Sequence, residues 1–363
     1  MNTQAPNDPI PSALRTRSDT GITGDTIFKS LVYGSAGFII LMILCLLYVL
    51  VGLSAKSMKT TGLKFLVTTD QNLEGQVHYK KGPDGKILRD DDDAPIVDHV
   101  DPPSFGALPV IYGTAVSSIL ALIFAVPLSL GAALFLIRIA RSIRPRLPGG
   151  TQLKVDIWAS FMIEFLAAIP SIAYGMWALL VLVPFMNTHI DPSLNRFFYW
   201  SKILRFLYSE SNNSGGSNML TGGLVLAIMI IPIITAVSRD VLKSVPNALI
   251  EGSLALGATW WQSCKEMLRY SRSGLFGAIM LGLARASGET MAVAMVIGNK
   301  LEIHASPLMA GQTMSGLLAT KYGGAIGLER SILLEVALLL LVMSLVFNMI
   351  ARTLIVGNKG TKV

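Results

Sequence analysis

Charged side chains are scarce in this sequence. Only 15% of its 363 residues are Asp, Glu, Lys or Arg, and 52% are hydrophobic. A soluble globular protein carries about 25% charged residues, because its surface has to be wetted. The shortage therefore argues against a soluble enzyme, a disordered chain or a fibrous protein. The composition instead predicts a protein that crosses a lipid bilayer several times.

Residues and motifs that carry common enzyme chemistry are also missing. The two cysteines, Cys45 and Cys264, indicate neither a disulfide framework nor a zinc site. The four histidines lie in predicted outside loops, and neither H-E-x-x-H nor G-x-S-x-G occurs. The sequence also lacks G-x-x-x-x-G-K-[ST], so a P-loop for ATP is absent. We expect no catalytic residue, no metal site and no cofactor in this chain.

Six segments are apolar and long enough to span a bilayer, which takes about 20 residues. They cover residues 31–55, 108–137, 157–186, 219–238, 274–297 and 331–355. The sequence therefore predicts an all-α membrane protein with six transmembrane helices. The first segment is uncharged and too long for the core of a signal peptide, so we interpret it as a retained anchor.

Basic residues in the connections predict the orientation. The short second connection holds five of them, namely Arg138, Arg141, Arg144, Arg146 and Lys154. The fourth connection and the C-terminal tail are also basic, and such loops stay in the cytoplasm. Both termini are therefore predicted to be cytoplasmic. The formal net charge of +7 fits cationic loops against anionic lipid rather than nucleic-acid binding.

These boundaries predict five parts along the chain. They are a polar cytoplasmic tail at 1–26, a first helix at 27–55, an extracytoplasmic insert at 56–107, a helical core at 108–355 with a cytoplasmic loop at 239–273, and a cytoplasmic tail at 356–363. The insert contains a run of four aspartates, Asp90 to Asp93. No EF-hand spacing of ligands and glycine follows that run, so a solvated loop is the preferred interpretation over a calcium site.

The sharpest anomaly is a pair of charges, Arg285 and Glu289, in the otherwise apolar fifth span. Four residues apart on a continuous helix, they would share one face. A charged residue in a span costs at least about 2.5 to 3.5 kcal/mol, and it usually faces a pathway or another charge. The pair indicates either a translocation pathway or a structural ion pair. Glu164, in the third span, is a further candidate partner for Arg285.

A second feature lies in the fourth connection. Its residues suggest a short helix, a glycine turn and exposed aromatic side chains, carried by Glu251, Gly252, Ser253, Gly257, Ala258, Trp260 and Trp261. Such an element suits docking into a groove on a partner protein. The chemistry fits equally well an interfacial helix whose tryptophans rest on lipid headgroups.

The third span contains Pro170 and Gly175. Proline frees a backbone carbonyl and glycine thins the helix, so the two together predict a bend. Such a bend either lines a cavity or is an ordinary helix kink.

Several of these stretches resemble ABC importer permeases. Glu251-Gly252-Ser253 followed by Gly257 resembles the EAA loop, whose pattern is E-A-A-x-x-x-G, with Gly-Ser in place of Ala-Ala. Three other stretches are similar to the PstC-type permease of the phosphate-specific transport system. They are A-A-I-P-S at 167–171 with Y-G at 174–175, I-P-I-I-T at 231–235 leading into S-R-D-V-L at 238–242, and L-G-L-A-R-A-S-G-E-T-M-A-V at 281–293 leading into M-V-I-G-N at 295–299.

The resemblance covers about residues 105 to 355 and implies a function. A PstC-type chain pairs with a second, PstA-type permease above a dimer of PstB-type ATPases in the bacterial inner membrane. ATP and Mg belong to those ATPases, and an extracytoplasmic binding protein delivers inorganic phosphate. By this resemblance Arg285 and Glu289 lie on the translocation path. The loop from Glu251 to Trp261 docks on the ATPase, which favours docking over a purely interfacial helix.

Two rival functions remain open at this point. A permease for another oxyanion or a small organic anion would use Arg285 equally well. An intramembrane enzyme, such as a lipid-modifying transferase, would need paired acid and base groups near one interface, and none converge in the sequence.

Overall fold

The structure is a computed structural model of the chain. It describes residues 21–69, 71–72, 77–80, 95, 97–100, 104–139, 155–201, 204–208 and 215–357. The aspartate run at 90–93, most of the basic second connection and most of both predicted tails lie outside the described residues. The chain divides into two compact units, residues 1–53 and 54–363.

Helices make up most of the described chain, which confirms the predicted all-α class. They are α1 (Gly21–Thr61), α2 (Leu108–Leu134), α3 (Val155–Ala168), α4 (Ser171–Trp177), α5 (Val183–Phe185), α6 (Asp191–Trp200), α7 (Met219–Lys243), α8 (Asn247–Ala255), α9 (Trp260–Tyr270), α10 (Arg272–Gly288), α11 (Met291–Val296), α12 (Met314–Lys321) and α13 (Gly327–Gly357). Short 3-10 turns follow α1 and α6, at Gly62–Leu66 and Arg205–Leu207. A π-helical turn extends α2 through Phe135–Ile139.

Five of these helices are long and apolar enough to cross a membrane, counting only the described residues. They are Gly24–Thr61, Leu108–Ile137, Ser171–Trp200, Met219–Lys243 and Gly327–Ile350. The third combines α4, α5 and α6, which π-helical turns at Ala178–Leu182 and Met186–Ile190 join into one helix. Two predicted spans differ from this set. The third predicted span, 157–186, is divided, because α3 ends at Ala168 and the spanning helix covers Ser171–Trp200. The fifth predicted span is divided as well. A single helix over 274–297 is wrong, because α10 ends at Gly288 and α11 begins at Met291.

The insert contains short strands as well as loops. The strands are β1 (Gln71–Asn72), β2 (Val77–Tyr79), β3 (Val97–Val100) and β4 (Ser104–Phe105), with β1 antiparallel to β4 and β2 antiparallel to β3. Both ends of the insert are fixed to the helical core. Phe65 and Phe105 are buried with ring centroids 6.1 Å apart, in a cluster that includes Met314 and Ile332.

The centre of the core is the packing of α2 against α7. Small residues permit a close approach there, because a Cβ on Gly223 would lie only 2.8 Å from the Cβ of Leu120. Ala121, Ala125 and Ile230 are buried in the same cluster. Apolar helices without a hydrophobic driving force in lipid depend on such close packing. This pair forms the most extensive helix–helix contact among the described helices.

A buried polar pair fixes the first turn of α7. The side chain of Asn218 accepts from the backbone N–H of Thr221 and so caps the helix. The Asn218 Nδ2 also donates to Asp191 Oδ2 at 2.8 Å, and both side chains are buried. This contact ties the start of α6 to the start of α7.

Candidate functional site

The chain breaks its helix at Glu289, in the middle of the predicted fifth span. Gly288 is the last residue of α10, and Glu289 has extended backbone with φ −70° and ψ 132°. Thr290 follows, and α11 starts at Met291. Discontinuous helices expose backbone groups at membrane depth, and transporters use such breaks to form binding sites.

A side chain from α12 satisfies the backbone carbonyl that is exposed at this break. The hydroxyl of Ser315, in the first turn of α12, donates to the carbonyl oxygen of Glu289 at 2.6 Å. Ser315 is buried. In the described part of the chain no other donor reaches this carbonyl. The hydrogen bond therefore compensates for the helical partner that the break removes.

A second break separates α3 from α4 at Ile169 and Pro170. Pro170 has φ −58° and ψ 139°, which ends the helix before it. The hydroxyl of Tyr174 donates to the carbonyl of Leu166 at 2.8 Å, across the break. The predicted bend is confirmed, and a hydroxyl closes this break as it closes the one at Glu289.

The two breaks lie side by side because α4 packs on α11. Gly175 is buried, and a Cβ at this position would lie 2.9 Å from the Cα of Ala292 and 2.8 Å from the Sδ of Met295. Only glycine allows that approach without a shift of one backbone. Gly175 therefore permits the close contact between α4 and α11, the helices that follow the two breaks.

Arg285 is exposed on α10, one turn before the break at Glu289. Among the described residues no ion pair or hydrogen bond joins its side chain to another group, and none joins it to Glu289. The two residues do not share a helix face, because the helix ends between them. The expectation that Arg285 and Glu289 share one face of a continuous helix is therefore wrong.

Glu164 has a different partner from the one considered above. Its carboxylate lies 3.4 Å from Nη2 of Arg239, at the end of α7, and not beside Arg285. Arg239 also contacts Asp240 at 3.2 Å. Arg239 thus has two carboxylate partners, Glu164 and Asp240, while Arg285 has no partner among the described residues.

The fourth connection folds into a helical hairpin, α8 and α9, around a glycine turn. Glu251, Gly252 and Ser253 lie on α8, and Gly257 follows it with a φ of +84°. A left-handed backbone strongly favours glycine at that position. Thr259 and Gln262 then form a capping box that begins α9.

The hairpin has one packed face and one exposed face. On the packed face of α9, Cys264 and Met267 are fully buried, and Met267 packs with Leu242 and Leu275. On the open side, Leu256 is 91% exposed at the turn. Glu251, Trp260 and Trp261 are exposed too, and Ala258 is half-buried. The predicted short helix, glycine turn and exposed tryptophans are all present.

These features suit the binding and movement of a solute. In the described residues no group of three or more His, Cys, Asp and Glu side chains is placed to hold a metal ion. The unpaired cation beside two helix breaks can attract an anion. The exposed apolar hairpin, at the end of the molecule to which α7 leads, offers a surface to a partner.

Comparison with known proteins identifies the family. Residues 151–355, more than half of the chain, match the family described as "Binding-protein-dependent transport system inner membrane component". The chain belongs to this family. It is therefore a multi-pass permease subunit of the ABC transporter type and not an enzyme.

Two relatives with high similarity carry one name. "Phosphate transport system permease protein PstC" of Pasteurella multocida is 44% identical over 253 residues, covering 69% of this chain and 75% of the relative. The protein of the same name from Xylella fastidiosa is 42% identical, covering 69% and 74%. This permease is thus PstC-type, as the sequence motifs indicate. A solved structure described as an inward-facing MetNI methionine ABC transporter has 19% identity and a TM-score of 0.45, covering 69% of this chain and 94% of that one.

The sequence did not reveal Ser315 as part of the site. It lies outside the predicted spans and follows an unremarkable Gln-Thr-Met. Its partner Glu289 is 26 residues away in the chain, so no local pattern connects them. The one hint in the sequence that this segment belongs to the site is the short polar run Gln312-Thr313 before α12, which lies between two predicted spans.

Proposed function

We propose that this chain is the PstC-type permease subunit of an ATP-driven importer that moves inorganic phosphate across the bacterial inner membrane. It pairs with a PstA-type permease and stands over a dimer of PstB-type ATPases. An extracytoplasmic binding protein delivers the phosphate. ATP and Mg act on the ATPases, and both termini of this chain lie in the cytoplasm.

The exposed, unpaired side chain of Arg285 is the observation that carries the proposal. An arginine in a span does not face lipid alone, because that costs at least about 2.5 to 3.5 kcal/mol. Arg285 therefore faces a polar path or the second permease. A planar guanidinium matches two oxygens of a phosphate at once. A single cation also allows release, which tighter binding would prevent.

The two breaks give the path its polar backbone and its capacity to move. Glu289 sits beside the free end of α10, where backbone carbonyls and N–H groups are not all used by the helix. The contact of Gly175 with Ala292 joins the segments α4 and α11, so they move together. We assign Arg285 to anion contact and Glu289 to neutralising Arg285 when no anion is present, after a small rearrangement of the break.

The hairpin α8–α9 is the coupling element in this proposal. Its exposed side chains dock in a groove of the ATPase, and Gly257 sets the angle between its helices. The buried face of α9 packs on the end of α7, through Met267 and Leu242. Closure of the ATPases on ATP therefore pulls α7 and its neighbours, which switches the access of the path.

Reconstitution of the complete transporter tests this function. Vesicles would contain this chain, the second permease and the ATPases, with the binding protein outside and ATP inside. We expect ATP-dependent uptake of inorganic phosphate and weak uptake of sulfate. Uptake of another oxyanion or an organic anion in preference to phosphate would replace the proposed substrate but keep the role of Arg285. No ATP-dependent uptake of any anion would contradict the proposal.

A further inference from the structure

A cleft between α3 and α7 lies apart from the helix breaks. It has a volume of about 390 Å³, and it lies at the end of α7 that leads into the coupling hairpin. Its polar lining consists of Ser160, Glu164, Arg239 and Lys243. Arg239 and Lys243 are one helical turn apart, so they point to the same side of α7. Neither the translocation path nor the docking surface uses these four side chains.

Charges of both signs meet in this cleft. Arg239 is only 14% exposed, and its contacts with Glu164 and Asp240 are long, at 3.4 and 3.2 Å. They occupy one N–H on each of the three guanidinium nitrogens. Because a guanidinium carries five N–H donors, two have no acceptor among the described residues and can serve another group. The ammonium of Lys243 is 43% exposed and lies 3.7 Å from Asp240.

The remaining lining is apolar and faces outward. Leu136 closes the cleft from the end of α2 and is buried. Ile157 and Phe161 form the α3 side, and these residues are 55% and 54% exposed. They are four residues apart, as are Ser160 and Glu164, so one stripe of α3 carries apolar and polar groups together. The cleft therefore joins a charged interior to a surface that suits hydrocarbon.

We propose that this cleft binds the headgroup of a zwitterionic phospholipid. The lipid phosphate accepts hydrogen bonds from Arg239 and Lys243, and the headgroup ammonium lies beside Glu164. The acyl chains run along Ile157 and Phe161. A free phosphate ion shares the first contact only. It would leave the apolar wall and the carboxylate side of the cleft unused.

Lipid retention by the purified complex tests this site. The assembled transporter is extracted from vesicles that contain equal amounts of phosphatidylethanolamine and phosphatidylglycerol. Native mass spectrometry then measures the lipid bound per complex. We expect phosphatidylethanolamine to be retained by the unchanged protein. The double variant Arg239→Gln, Lys243→Gln should bind it about tenfold or more weakly, because two charge-assisted hydrogen bonds are lost.

Two further variants make the result specific. Ser160→Leu fills the cleft without changing a charge, and we expect it to lose the lipid as well. Lys265→Gln with Arg272→Gln removes two cations at the same end of the molecule but outside the cleft, and it should retain the lipid. Equal retention by all variants would overturn the proposal, and so would a preference for phosphatidylglycerol.

A binding measurement separates lipid from substrate phosphate. The delipidated complex is mixed with radiolabelled inorganic phosphate. Binding that Arg239→Gln, Lys243→Gln abolishes, with lipid retention unchanged, would make the cleft a substrate site and contradict the lipid assignment. Lipid loss without any change in phosphate binding supports it. These readouts do not depend on which anion the transporter moves.

Discussion

The chain interrupts its helices in two different ways, at Gly257 and at Glu289. At Gly257 the turn needs one residue with a positive φ, and a Cβ there would meet nothing within 4 Å. At Glu289 the backbone is ordinary extended chain, and the break is held by Ser315 from another helix. The first interruption is local and exposed. The second depends on tertiary packing and lies beside the unpaired Arg285.

This difference separates two tasks. The turn at Gly257 is set by its own backbone, while the packed face of α9 holds the hairpin on the end of α7. This suits a surface that has to fit a partner. The break at Glu289 is defined by contacts among α4, α11 and α12, so a movement of those helices changes it. A permease needs both, a firm contact for the ATPase and a site whose geometry can switch.

The largest expected contrast is in labelling from the two sides of the membrane. In a chain without its natural cysteines, Lys300→Cys lies in the loop after α11 and Arg269→Cys lies on the hairpin, and both positions are exposed. We expect an impermeant thiol reagent, added outside intact cells, to label Lys300→Cys fully and Arg269→Cys only after lysis. The reverse pattern would overturn the orientation predicted from the loop charges.

A side chain at Gly175 should damage the packed break severely. Gly175→Val places atoms within 3 Å of the Cα of Ala292, so α4 and α11 have to separate. Overpacking of this kind costs about 1 to 3 kcal/mol. We expect less assembled complex and a lower melting temperature. Gly131→Val, in α2 with nothing within 4 Å, is the matched control and should assemble normally. Equal behaviour of the two variants would refute the close contact.

At Gly257, the positive φ and not a lack of room for a side chain should decide the effect of a substitution. Gly257→Val forces a β-branched residue to a φ of +84°, at a cost of about 1 to 2 kcal/mol. We expect normal membrane insertion but lost substrate-stimulated ATP hydrolysis. Gly257→Asn, which tolerates this backbone better, should retain most of the coupling. Full coupling in Gly257→Val would remove the turn from the docking role.

A smaller effect on transport is expected from two single variants, each of which removes the hydroxyl that bonds to a carbonyl at one break. Ser315→Ala leaves the carbonyl of Glu289 without its described donor, which costs about 1 to 3 kcal/mol. Phosphate uptake per assembled complex should fall about five-fold or more. Tyr174→Phe should have less effect, because the Leu166 carbonyl still accepts from the N–H of Ile169. A larger loss in Tyr174→Phe would reverse the comparison of the two breaks.

Local chemistry explains which features the sequence predicts. Pro170 and Gly257 act on their own backbone, so a bend and a turn are visible without a structure. The exposure of Trp260 and Trp261 is also predictable, because they come directly after that turn. Apolar length likewise predicts the spanning helices, because each must satisfy its backbone internally.

The break at Glu289 has only a weak local signal, Gly288 at the end of α10. Its stretch contains no proline, and the helix formers around Arg285 continue the pattern of a span. The contacts at this break, from Ser315 to the Glu289 carbonyl and from Gly175 to Ala292, come from distant parts of the chain. For the same reason the sequence cannot tell that Glu164 pairs with Arg239 rather than with Arg285.

The most direct test of the account is phosphate uptake per assembled complex in Arg285→Gln. Glutamine keeps much of the volume and some donors but removes the charge. Because Arg285 has no described partner, assembly should survive, while uptake should fall about tenfold or more through loss of a charge-assisted contact. The double variant Arg285→Gln, Glu289→Gln should not recover it. Normal uptake per complex in the single variant, or restored uptake in the double variant, would contradict a direct contact between Arg285 and the anion.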